Sequence, residues 1–218
     1  MKPCPIFATF TAAGKIWKEV DALIETFQSN LAKSTDETLE INKLKWGEDS
    51  EGSYYWCNAL LDIRTEASGK PKSRWLTLTF DLVRDVPKKQ ATNWPYARHS
   101  LLVVSFSPLL SDNWWQAEDA RVTPYGILAN RDTWAECKNH RFGGNRLLEW
   151  AKYSKGKAWS ERAWLFATPL NGINDQDGVW EELIKPVSEL LVHNRPESLT
   201  KTSAVVWAKA AEGGDSKD

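Results

Sequence analysis

The sequence predicts an α+β fold: an antiparallel sheet, with a meander near 53–107 and further strands later in the chain, packed by an N-terminal helix and a C-terminal helix. Two patterns carry that expectation. Apolar residues recur at helical spacing near both ends, and strict alternation stands on both sides of a turn signal in between. At 24.8 kDa, a folded chain buries about 70% of the surface its unfolded form exposes, so a core forms without disulfide staples. One globular domain over 1–211, with a mobile polar tail at 212–218, suits that length.

Ile16, Trp17, Val20, Leu23, Ile24, Phe27 and Leu31 fall on one stripe, with Lys15, Lys18, Asp21, Glu25 and Gln28 opposite, which is a surface helix. Residues 34–52 are acid-rich and read as a solvated connection, with a short strand at 39–44. Tyr55, Cys57, Ala59, Leu61 and Ile63 then alternate with Trp56, Asn58, Leu60, Asp62 and Arg64. After Gly69 and Pro71, Leu76, Leu78, Phe80 and Leu82 alternate with Trp75, Thr77, Thr79 and Asp81. These make an antiparallel hairpin. Matching the apolar faces sets Ile63 opposite Leu76, hence Arg64 opposite Trp75. A third strand is expected at 100–106, a short helix at 145–153, a strand at 163–168 and a helix at 177–193 that Pro186 should kink. A closing strand is expected at 203–208. The element order suggests helices on one face of the sheet.

Composition narrows the class. With 42% hydrophobic and 26% charged residues, wholesale disorder is excluded. Cys4, Cys57 and Cys137 are odd in number and widely spaced, which reads as reduced thiols in a cytoplasmic protein. The longest apolar run, at 101–104, is far short of a membrane span. The net charge of -1 conceals an asymmetry: 138–162 holds seven Lys or Arg against two acids, a net +5, leaving -6 elsewhere.

That basic segment is the first candidate site. Arg141, Arg146, His140, Lys152, Lys155 and Lys157 are interleaved with Phe142, Trp150, Tyr153 and Trp159, a composition suited to phosphate contact and base stacking. Gly143-Gly144 before the expected helix would leave backbone N–H groups free to meet an anion. The second candidate is the polar side of the hairpin, where Arg64 could stack on Trp75, together with Trp114 and Trp115 in an aperiodic loop. Trp with Arg is the composition of a protein-interface anchor.

Catalytic motifs are sparse. Glu136-Cys137-Lys138, with Asp132 and Asp119 upstream, resembles the end of the motif of restriction-type nucleases. That resemblance implies a Mg²⁺ ion held by acids, with Lys138 helping to position water. Cys137 and His140 have the Cys-x-x-His spacing of half a zinc site. Phosphate-loop, dinucleotide, serine-hydrolase and zincin signatures are absent from the sequence. The expectation is a non-catalytic recognition protein of inhibitor, immunity or adaptor type, with no cofactor, no metal and no membrane contact. It would bind a protein partner or nucleic acid; the alternative is a metal-dependent nuclease.

Overall fold

A computed structural model describes residues 5–35, 39–51, 54–65, 74–83, 100–108, 137–142, 145–151, 154, 156–173 and 175–204. The strands are β1 (Leu39–Glu51), β2 (Tyr54–Thr65), β3 (Arg74–Val83), β4 (Leu101–Ser107), β5 (Cys137–Phe142), β6 (Asn145–Trp150) and β7 (Ala163–Pro169). They form one antiparallel sheet in the order β1-β2-β3-β4-β7-β6-β5. After the four-strand meander the chain re-enters at the far edge with β5 and returns inward through β6 to β7. The α+β class and its antiparallel sheet are therefore as the periodicity predicts.

The N-terminal helix α1 (Pro5–Ser34) is longer than its apolar stripe. Val20, Ile24, Phe27 and Leu31 are buried at i, i+4, i+7 and i+11, whereas Ile16, at the head of the expected stripe, is 45% exposed. Burying each of the three large side chains from Ile24 to Leu31 stabilises the fold by about 1.5–3 kcal/mol. Gln28 Nε2 donates to the Ile41 carbonyl at 2.9 Å and ties the helix to β1. At the helix end, the Ser34 and Thr35 hydroxyls donate to the carbonyls of Leu31 and Ala32, and the Thr35 N–H also donates to the Ala32 carbonyl at 3.4 Å, so the last turn is closed locally.

Several expectations are corrected. Residues 39–51 are one long edge strand, not a short strand in a solvated connection, and a bulge between Lys43 and Lys45 adjusts its pairing with β2. Its acids suit an edge, where charge discourages unwanted pairing. In the β2–β3 hairpin Leu61, not Ile63, faces Leu76, and Asp62 faces Trp75. The shift is two residues, so each side chain keeps the expected face. Residues 145–150 are a strand rather than a helix. Leu147 and Leu148 are both buried; a strand covered on both faces loses the alternation by which it would be recognised. Ser203 and Ala204 are not in a strand, and the rest of the expected closing strand lies outside the described residues, as does the tail at 212–218.

The C-terminal helix α2 (residues 176–193) is α-helical at Gln176–Val179 and Lys185–Ser188 and π-helical at Trp180–Ile184 and Glu189–His193. Asp175 caps its start, accepting the Gly178 N–H at 2.8 Å. Pro186 does not break the run. It sits at the start of the second α-helical segment, just after a wide turn in which the Lys185 N–H bonds the Trp180 carbonyl. That extra residue per turn rotates Trp180 off the stripe and leaves it 41% exposed, while Val179, Leu183, Ile184, Val187, Leu190 and Leu191 are buried.

The centre of the sheet is buried on both faces. Every residue of β4 and of β7 is buried, although successive side chains in a strand point to opposite faces. One face carries Leu76, Leu78, Phe80, Val104, Phe106 and Phe166, in one core with α1 and α2. The other carries Thr77, Thr79, Val103, Ser105, Leu165 and Ala167. Among the described residues, no helix is long and apolar enough to cross a membrane.

Candidate functional site: a basic edge hairpin around Glu149

The basic segment folds into the β5–β6 hairpin at one edge of the sheet, followed by a 3-10 turn at Trp159–Glu161 and by β7. The two strands pair to Phe142 and Asn145. No helix begins at 145, so the helix N-terminus expected to receive an anion does not exist; Gly143 and Gly144 themselves lie outside the described residues.

The register sorts the charged residues. Lys138 is opposite Glu149, and His140 opposite Leu147, on one face; Arg141 is opposite Arg146 on the other. Lys138, Arg141 and Lys157 are exposed. Cys137 and His140, three apart on a strand, take positions on opposite faces of the sheet. Among the described residues, no group of three potential metal-ligating side chains occurs.

At the centre is a side chain that sequence reasoning passed over. Glu149 is buried, and its Oε2 accepts from His140 Nε2 at 2.8 Å and from Arg162 Nη1 at 3.3 Å. A buried carboxylate is stable only when paired in this way. The contact also sets the imidazole chemistry, because Nε2 must carry the hydrogen it donates. Trp159 packs the cluster from one side. Its ring lies 4.8 Å from the Arg162 guanidinium carbon and meets His140 edge-on at 5.0 Å. The turn that holds Trp159 is anchored twice: its N–H donates to Asn194 Oδ1 at 2.7 Å, and its carbonyl accepts from Trp164 Nε1 at 3.1 Å.

This geometry redistributes the expected roles. Trp150 and Trp159 are buried core residues rather than stacking platforms. His140 is half-buried and directed to Glu149. Trp75 is half-buried on the second face, opposite Asp62 and Ser107. Asp62, not Arg64, is the residue opposite Trp75, and across β1 Arg64 is opposite Glu40. Arg146 is placed by its strand position alone. Lys152, Lys155, Trp114, Trp115, Asp119, Asp132 and Glu136 lie outside the described residues.

Fold and site together define an antiparallel α+β protein with a cationic hairpin at one sheet edge and its acid turned inward. No protein-family model matches the chain, and neither a curated protein nor a solved structure does.

Proposed function

We propose that this chain is a recognition protein without a catalytic centre of its own, and that the β5–β6 edge holds the phosphates of a nucleic acid. The observation that supports the reading is the fate of Glu149. The acid lying opposite Lys138 is buried, hydrogen-bonded by His140 and paired with Arg162, so the side chains that the hairpin exposes at Lys138 and Arg141 are cationic. Phosphate contacts by exposed Lys and Arg fix position without reading bases, so the expected binding is sensitive to salt and tolerant of sequence.

The test is retention of labelled DNA and RNA by the purified protein in Mg²⁺ or Mn²⁺ over a salt series. Binding that weakens with salt, and weakens further in Lys138→Ala and Arg141→Ala, is the expected result. Cutting that disappears in Glu136→Ala would replace this reading with the nuclease. Absence of both retention and cutting would overturn it in favour of a protein partner.

A further inference from the structure

The second face of the sheet carries three hydroxyls with no partner among the described residues. Thr77 and Ser105 are fully buried and Thr79 is 5% exposed, yet Thr77 Oγ1, Thr79 Oγ1 and Ser105 Oγ make no hydrogen bond to a described residue. They are not scattered. Thr77 stands directly opposite Ser105 across the β3–β4 pair, and Thr79 follows two residues along the same face, opposite Val103.

Directly opposed side chains in an antiparallel pair have Cβ atoms roughly 5 Å apart, and residues two apart along a strand are separated by about 7 Å. One oxygen atom over the β3–β4 seam therefore reaches both Thr77 and Ser105, and a second, hydrogen-bonded to the first, reaches Thr79. Polar residue types extend sideways: the register sets Asn58 opposite Thr79 on β2 and Ser107 opposite Trp75. Native proteins pair the great majority of buried polar groups, and three adjacent exceptions require a common explanation.

We infer that Thr77, Thr79 and Ser105 form a buried binding site for neutral oxygen groups that both donate and accept hydrogen bonds, supplied by ordered water or by the hydroxyls of a small polyol. The neighbouring positions on this face toward β7, Val103, Leu165 and Ala167, are apolar, and the register sets Asp62 opposite Trp75 and Asp81 opposite Leu101. An anion placed there would lose its hydration and gain no counter-charge, whereas a hydroxyl-bearing molecule finds donors and acceptors in one compact group. Buried water satisfies such groups with about three hydrogen bonds each, and a polyol chain does the same with its own oxygens.

The test turns on the sign of a stability change. Thr77→Val and Thr79→Val keep shape and remove only the hydroxyl's bonding; Ser105→Ala removes the other side of the seam and reads the same bridge should a Val variant fail to fold. A lowered melting temperature in these variants, by about 2–4 °C for a chain of this size, is the expected outcome. Removing a hydroxyl that truly bonds nothing relieves a desolvation penalty instead, so an unchanged or raised melting temperature would overturn the proposal. Titrating wild type and Thr77→Val with glycerol and with glucose separates the two sources. A saturable rise confined to wild type assigns the site to a polyol. Loss in the variant of slowly exchanging water, seen by ¹⁷O relaxation dispersion, assigns it to water.

Discussion

Glu149 and His140 meet at 2.8 Å across the β5–β6 hairpin, nine residues apart in sequence and one diagonal step apart on the same sheet face. Arg162 joins the same carboxylate oxygen. With side-chain exposures of 9% for Glu149, 17% for His140 and 22% for Arg162, the cluster lies between a surface ion pair and a fully buried one. Breaking a buried pair costs about 3–5 kcal/mol and losing an exposed one less than about 1. Glu149→Ala is therefore expected to destabilise the fold by about 2–3 kcal/mol in urea denaturation, because it leaves Arg162 against Trp159 without a counter-charge. Glu149→Gln keeps an acceptor and should lose about half as much. Equal losses in the two variants would assign the whole effect to the carboxylate charge, and no loss in Glu149→Gln would show that packing, not charge, matters here.

Asn194 offers a second test. It is the single positive-φ non-glycine among the described residues, at φ 57°, and its side chain accepts the Trp159 N–H. Asn194→Gly retains the left-handed backbone and loses the hydrogen bond, worth about 1 kcal/mol. Asn194→Ala loses the bond and adds left-handed strain of about 1–2 kcal/mol. The alanine variant should melt several degrees below the glycine variant, with both below wild type; the reverse order would mean that the strain is absent.

Glu181 and Glu182 are neighbours with unequal expected roles. Glu181 pairs with Lys185 at 2.7 Å in an exposed i,i+4 arrangement, which contributes about 0.3–0.5 kcal/mol. Glu182 Oε2 accepts from the Ser203 N–H and hydroxyl, each at 2.7 Å, and from the Thr168 hydroxyl at 3.3 Å, clasping residue 203 to α2 and β7. Glu181→Ala should leave the melting temperature within about 1–2 °C of wild type. Glu182→Ala should lower it by more than that and quicken amide exchange at Ser203, a change that a purely electrostatic loss would not produce.

The limits of sequence reading are visible in the same residues. The faces of β2 and β3 were legible because their residues alternate between apolar and polar types. Their register was not: pairing Leu76 with Ile63 or with Leu61 buries the same residues, since a slip of two positions leaves every side chain on its face. The strand at 145–150 was hidden because Leu147 and Leu148 are buried on opposite faces, so two adjacent leucines and Ala151 imitate a helical stripe. Glu149 looked like one of two acids among seven cations. Its partners lie nine and thirteen residues away, and only the hairpin and the turn before β7 bring them to it.

Arg141 and Arg146 are directly opposed across the hairpin, and like charges at opposed positions are destabilising by an amount comparable to the roughly 0.2–1 kcal/mol that an opposite-charge pair contributes. A hairpin selected for stability alone would place an acid at one of the two. Arg146→Glu is therefore expected to raise stability while weakening the nucleic-acid binding proposed above, and the two measurements should move in opposite directions. If Arg146 meets a phosphate, the slope of log affinity against log salt falls by roughly 0.7–0.9 for that lost contact, and the reversed charge lowers affinity further at every salt concentration. A variant that gained stability and kept its affinity would show that the paired arginines serve something other than anion binding.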